Sequence, residues 1–264
     1  MIAWFGAGIG MLAGVLAATG LFFLVATRGA LLMRALSGRP ASATAHVYPI
    51  YSNMRLIRLV DFQPLISAIL LFQYHRLVAG IVDEIARTDL AGRKLLITSC
   101  AFGDMIPSVV DAAIAAKADQ VLVVDIIANE LLHAKSKLGD CGGKVRLLED
   151  NATRMHLADG EVAVNIVFFL LHELPDPLKV RALAEAGRVL APGGKLMIAD
   201  FHRPDTWPLR ALSWIYFKVF EPLGLALWNS HDPVALLGTM GRWHCERSTC
   251  FHGNFQVVVA TKLS

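Results

Sequence analysis

Lys94-Leu95-Leu96-Ile97-Thr98-Ser99-Cys100-Ala101-Phe102-Gly103-Asp104 and, further on, Val121-Leu122-Val123-Val124-Asp125 order the rest of the chain. Each begins as a short aliphatic, β-branched run and ends in turn residues, the pattern of a strand buried on both faces. The same pattern recurs at Lys144–Leu148, Val162–Phe169 and Lys195–Asp200. Between these runs Met105–Lys117, Ile127–Leu138 and Pro177–Leu190 have helical length and periodicity, the last stopped by Pro192-Gly193-Gly194. Strands alternating with helices predict an α/β fold: a mostly parallel sheet with crossover helices on both faces. An apolar region, Trp207–Leu237, then leads into Arg247–Thr261, which predicts one or two antiparallel edge strands.

The N-terminal part has a different character. Residues Ile2 to Thr27 carry no charge, and a helix of that length can cross a hydrocarbon core about 30 Å thick. No basic residue precedes the run, which favours an anchor over a cleavable signal peptide ending near Ala43-Thr44-Ala45. Arg28, Arg34 and Arg39 follow, so the positive-inside preference predicts a single-pass protein of the inner membrane with its catalytic domain in the cytoplasm. The expected organisation is an anchor and basic flank over 1–36 and a linker over 37–46. A helical substrate-side or membrane-surface segment follows over 47–93, and a Rossmann-type domain over 94–264. Pro64–Phe72 can either lie on a membrane surface or pack over the domain's own sheet. A net charge of +3 without a basic, aromatic-interleaved tract argues against nucleic acid as a partner. Cys100, Cys141, Cys245 and Cys250 form no CxxC pair and fit a reducing compartment.

In a doubly wound sheet ligands bind beyond the carboxyl ends of the strands, so the residues after each strand carry the chemistry. The turn after Thr98 resembles the glycine-rich loop of methyltransferases of this topology, which approaches the methionine part of S-adenosylmethionine. Gly103 and Asp104 match that pattern without gaps, whereas Ile97 stands where those enzymes have an acid and Ser99 and Ala101 replace glycines; Cys100 lies between them. Serine and alanine preserve a close approach provided the backbone does not need positive φ. Asp125 is placed to accept hydrogen bonds from ribose hydroxyls, or else to cap the next helix. Asp150 and Asn151, after the third strand, can accept from an adenine amino group or serve as plain turn residues.

The fourth and fifth strands end in Phe168-Phe169-Leu170-Leu171-His172-Glu173-Leu174-Pro175 and Ala199-Asp200-Phe201-His202-Arg203-Pro204, joined by Arg188-Val189-Leu190-Ala191-Pro192-Gly193-Gly194-Lys195. With the altered first loop, these segments resemble the rhodoquinone-biosynthesis proteins (RquA), relatives of the class I S-adenosylmethionine-dependent quinone methyltransferases. The resemblance covers roughly Lys94 to Leu227. It implies that a methoxy group of ubiquinone is exchanged for an amino group, with S-adenosylmethionine as nitrogen source and manganese as metal. Under it, Ile97 leaves the cofactor's amine without its usual carboxylate partner. His172, Glu173 and His202 become candidates for proton transfer and oxyanion stabilisation, and Glu173, Asp200 and His202 a candidate metal set. The bland alternatives are that His172 and Glu173 cap the following helix and that Asp200 and His202 satisfy backbone groups. Trp207, Trp214, Tyr216, Phe217, Phe220 and Trp228 would roof an apolar pocket for a ubiquinone-like lipid, or simply fill the core. Two further readings stand beside amination: methylation of a quinone or other lipid, and a non-catalytic membrane-bound module with a decayed cofactor site.

Overall fold

The computed structural model describes residues 13–18, 20–21, 54–139, 141–219 and 221–263. Residues 13–18 and 20–21 are helical, but the predicted span over Ile2–Thr27 otherwise lies outside the described residues, as do its basic flank and the linker. Among the described residues no helix is long and apolar enough to cross a membrane.

The chain first forms α1 (Met54–Val60), α2 (Gln63–Ile69) and α3 (Tyr74–Ala86). Pro64 sits in the first turn of α2, where its missing N–H costs nothing. Tyr74, Leu77, Val78, Ile81 and Ile85 make a single buried stripe along α3, which packs on the neighbouring helix and on the sheet. Ile66 and Leu70 are buried with them, so the Pro64–Phe72 stretch packs onto the domain through these two side chains, while Phe62 and Phe72 face solvent.

The sheet consists of β1 (Lys94–Thr98), β2 (Gln120–Asp125), β3 (Val145–Glu149), β4 (Val162–Phe168), β5 (Leu190–Phe201), β6 (Trp243–Cys250) and β7 (Phe255–Lys262). Its order is β3-β2-β1-β4-β5-β7-β6, with the first five strands parallel and β7 antiparallel to both neighbours. The predicted C-terminal hairpin is therefore present, but only β6 is an edge; β7 is inserted beside β5. Crossovers are made by α4 (Met105–Ala115), α5 (Ala128–Lys137) and α6 (Asp176–Arg188). After β5 come α7 (Trp207–Val219), a 3-10 segment over Pro222–Trp228 and α8 (Pro233–Met240).

Alternation along the strands divides the core into two layers. Ile97, Val123 and Ile166 face the side of α3 and α4, and Leu96, Leu122 and Val167 face the side of α6 and α8. The strand order reverses between β1 and β4, which places a crevice at the carboxyl ends of β1, β2 and β4.

Candidate active site at the carboxyl ends of the strands

The first loop is held in place by groups that the local sequence does not supply. The carboxylate of Asp125 accepts the backbone N–H of Cys100 at 2.6 Å and of Ile127 at 2.8 Å, with the Ser99 hydroxyl at 3.4 Å. Burial pushes its carboxyl up, and the Cys100 and Ile127 amides oppose that shift. Asp125 thus turns the chain into α5 while retaining further lone pairs for an outside donor. Ser99 adopts a positive φ of 77°, so the left-handed geometry that favours glycine is kept although the glycine is not.

Gly103 (φ 82°) lies under Tyr74: a Cβ there would overlap the phenol ring. The Tyr74 hydroxyl accepts from the Met105 amide at 2.8 Å and donates to the Phe102 carbonyl at 3.1 Å, while the Asp61 carboxylate accepts from the Gly103 amide. The close approach that needs glycine here is therefore to the protein's own α3. His133 and Lys137 of α5 complete the cluster, with Nε2 and Nζ 2.6 and 3.1 Å from Asp61 Oδ2, and Lys137 Nζ donates to the Gly103 carbonyl at 2.7 Å. Asp104 is exposed and accepts from Gln63 at 3.3 Å. Burial, and then the charge of Asp125, push the Cys100 thiol far up, which disfavours its thiolate form.

Ile97 is fully buried within the core layer and does not border the crevice. The crevice is lined by Ser99, Asp125, Asp150 and Asn151 on one side and by Leu170 and Leu174 on the other. Asp150 accepts from the His156 and Asn151 amides, and Asn151 Oδ1 from the Thr153 amide, so both also shape the turn. Acceptors beside an apolar wall fit a nucleoside: a ribose needs hydroxyl partners and an adenine a flat greasy face.

Between Leu170 and Leu174, which line the crevice, His172 lies in a 3-10 turn over Leu171–Glu173, and neither it nor Glu173 caps α6, whose N-cap is Pro175. Asp200, buried in β5, accepts from the Leu171, His172 and Phe201 amides and from His172 Nδ1 at 3.0 Å. Burial pushes the His172 imidazole down, but the charge and hydrogen bond of Asp200, joined by Glu173 and Glu221, win and hold it at about 9. Phe169 (φ 52°) and Phe201 meet the His172 ring edge-on at 5.8 and 5.0 Å between centroids. Such a backbone conformation at an aromatic residue stores strain, as functional sites often do. Of the predicted aromatic roof, Tyr216, Phe217 and Trp228 join this cluster, Trp207 and Trp214 face solvent, and Phe220 lies outside the described residues. Trp228 Nε1 is buried without a partner. Lys179, which the sequence did not single out, ties this roof down: its buried Nζ donates to the carbonyls of Leu174 and Leu223 at 2.6 and 2.9 Å.

Glu173, Asp200 and His202 are not gathered into a metal centre. His202 Nδ1 donates to the Gly253 carbonyl at 2.7 Å, Asp200 is committed to His172 and three amides, and no group of three His, Cys, Asp or Glu among the described residues could hold an ion. The residues do not fit the manganese that the resemblance implies.

The ubiE/COQ5 methyltransferase family matches residues 60–249. The chain is 31% identical over 156 residues to a ubiquinone/menaquinone biosynthesis C-methyltransferase UbiE of Psychromonas ingrahamii, covering 58% of this chain and 61% of that protein. It is 28% identical to the enzyme of that name from Shewanella pealeana, covering 70% of this chain and 73% of the relative. Among solved structures, an S-adenosylmethionine-dependent methyltransferase from Aquifex aeolicus superimposes with a TM-score of 0.53 at 20% identity, over 80% of this chain and 99% of its own. The YcgJ protein from Bacillus subtilis does so with 0.54 at 12%, over 72% and 99%. These two share the fold. The family match spans most of the chain, including the first loop and the His172–Asp200 pair, and the chain belongs to the ubiE/COQ5 methyltransferase family.

Proposed function

We propose that this chain transfers a group from S-adenosylmethionine to the ring of a membrane quinone. The observation that carries the reading is the His172–Asp200 pair, buried in the aromatic cluster of Phe169, Phe201 and Phe217, with His172 between Leu170 and Leu174, two residues that line the crevice. A quinone ring is flat, apolar and edged by carbonyl oxygens, and an aromatic enclosure with one charged donor suits it. His172 is an imidazolium below about pH 9; its Nδ1 is engaged by Asp200, so a substrate oxygen would meet Nε2. From there it stabilises the oxyanion that develops when the ring is attacked or a phenol is ionised. The orphaned Trp228 Nε1 is a second donor within the same aromatic cluster. S-adenosylmethionine supplies either its electrophilic methyl group or, in the aminating reading, its amino nitrogen.

Amination, giving rhodoquinone, is the finer reading. It is favoured by the altered first loop, with Ser99, Cys100 and Ala101 after a core Ile97, which these segments share with the rhodoquinone-biosynthesis proteins they resemble. Methylation is the second reading, favoured by the family itself. The membrane as partner and the cytoplasmic face as location are part of the proposal. They are supported by the uncharged span Ile2–Thr27 with its arginines, and by Trp207, Trp214 and Ile215 exposed along α7. Quinones extracted from a ubiquinone-making host expressing the chain should contain an amino-for-methoxy product. A methyl gain would select the second reading, and an unchanged quinone pool in cells holding the folded protein would remove both.

A further inference from the structure

The face of α5 turned toward the first loop carries Glu130, His133 and Lys137, spaced i, i+3 and i+7. His133 Nε2 and Lys137 are engaged by Asp61 and the Gly103 carbonyl, while His133 Nδ1 is buried without a partner. Glu130, one turn nearer the carboxyl end of the sheet, is 3% exposed, and its Oε1 has no hydrogen-bond partner. It lies in the first turn of the helix that follows Asp125, at the carboxyl end of β2, and its charge acts on Cys100 while those of Asp125 and Glu173 act on it. A carboxylate oxygen so deeply buried and unpartnered is costly unless a donor arrives. Burial, then Asp125, push its carboxyl up to about 8, with Lys137 pulling it down and Asp61 and Glu173 adding to the rise.

Resting on the S-adenosylmethionine reading, we propose that Glu130 supplies from α5 the carboxylate missing at Ile97, and that it binds the amino group of the cofactor's methionine part. The geometry favours this over a purely structural role. Ile97 cannot reach the crevice, Asp61 is already satisfied by the Gly103 amide, His133 and Lys137, and among the described residues of this face Glu130 is the carboxylate that brings an unpaired oxygen to the first turn of α5, just after Asp125.

Calorimetric titration of the full chain with S-adenosylhomocysteine and with methylthioadenosine, which lacks the amino acid part, tests this. Glu130→Gln should weaken S-adenosylhomocysteine about tenfold or more while leaving methylthioadenosine within about twofold. The parent protein should discriminate against the deaminated analogue of S-adenosylhomocysteine by a similar factor, a comparison that does not depend on the variant folding. Equal affinity of the parent for the amino and deaminated ligands would overturn the assignment, as would parallel losses of both nucleosides in a folded Glu130→Gln. A parent that binds none of the three would remove the cofactor reading itself, and the role of Glu130 with it.

Discussion

At Ile97, sequence and structure give different lessons. Read along the chain it is an apolar residue in an acid's place; in the fold it is a core residue of β1 with no exposed surface. Ile97→Asp would bury an unpaired carboxylate, so it should destabilise the domain by about 3–5 kcal/mol, seen as a large fall in the denaturant midpoint, and reports on folding instead of chemistry. Asp125, expected to bind ribose, also holds the first loop. Asp125→Ala removes the acceptor of the Cys100 and Ile127 amides, and should cost roughly 1–3 kcal/mol of stability in addition to weakening S-adenosylhomocysteine; an unchanged melting temperature would show that the loop holds its shape without it. Asp125 was legible because an acid at a strand end has a local signature. Glu130 and Lys179 were not: five residues past Asp125, a glutamate in the first turn of a helix looks like an ordinary macrodipole partner, and only tertiary contacts show that it is buried.

The strands and crossovers were the most readable elements, since runs such as Val121–Asp125 are uniform enough that burial on both faces is the only economical explanation. The placement of β7 between β5 and β6 was not readable, because strand order is set by how helices and hairpin pack and not by the composition of either strand. Nor was the support of the first loop by α3. Replacing Tyr74 by Phe leaves the buried Met105 amide without its acceptor, and should lower stability by about 1–3 kcal/mol, measured by chemical denaturation. The strand-end pair predicts a pH response. With its pKa raised to about 9, His172 contributes stability that is fully present below about pH 6.5 and is lost as pH rises through 9. Glu130, raised to about 8, makes stability fall between about pH 4.5 and 8, and Glu130→Gln should abolish that part of the slope. A parent and a Glu130→Gln protein with superimposable stability curves from pH 4 to pH 8 would contradict the burial of an ionisable group there.

Under the proposed function, the whole molecule combines a cofactor crevice, an aromatic substrate end and an exterior that meets the membrane. Trp207, Trp214 and Ile215 lie exposed on α7, and Lys218 sits over the Trp214 ring at 5.5 Å, an arrangement suited to the headgroup boundary. Serine at all three apolar positions should reduce flotation with anionic vesicles while leaving S-adenosylhomocysteine affinity intact; unchanged flotation would assign membrane contact elsewhere. The central claim is that S-adenosylmethionine feeds a group onto a quinone ring at this site. Its most direct test is to incubate the purified full chain with a short-tailed ubiquinone and S-adenosylmethionine labelled separately at the amino nitrogen and at the methyl carbon, then to weigh the quinone. The account predicts that the ring acquires the nitrogen label, loses a methoxy group, and does neither with His172→Ala. A quinone that acquires no label from either position, with protein that binds the cofactor, would contradict it.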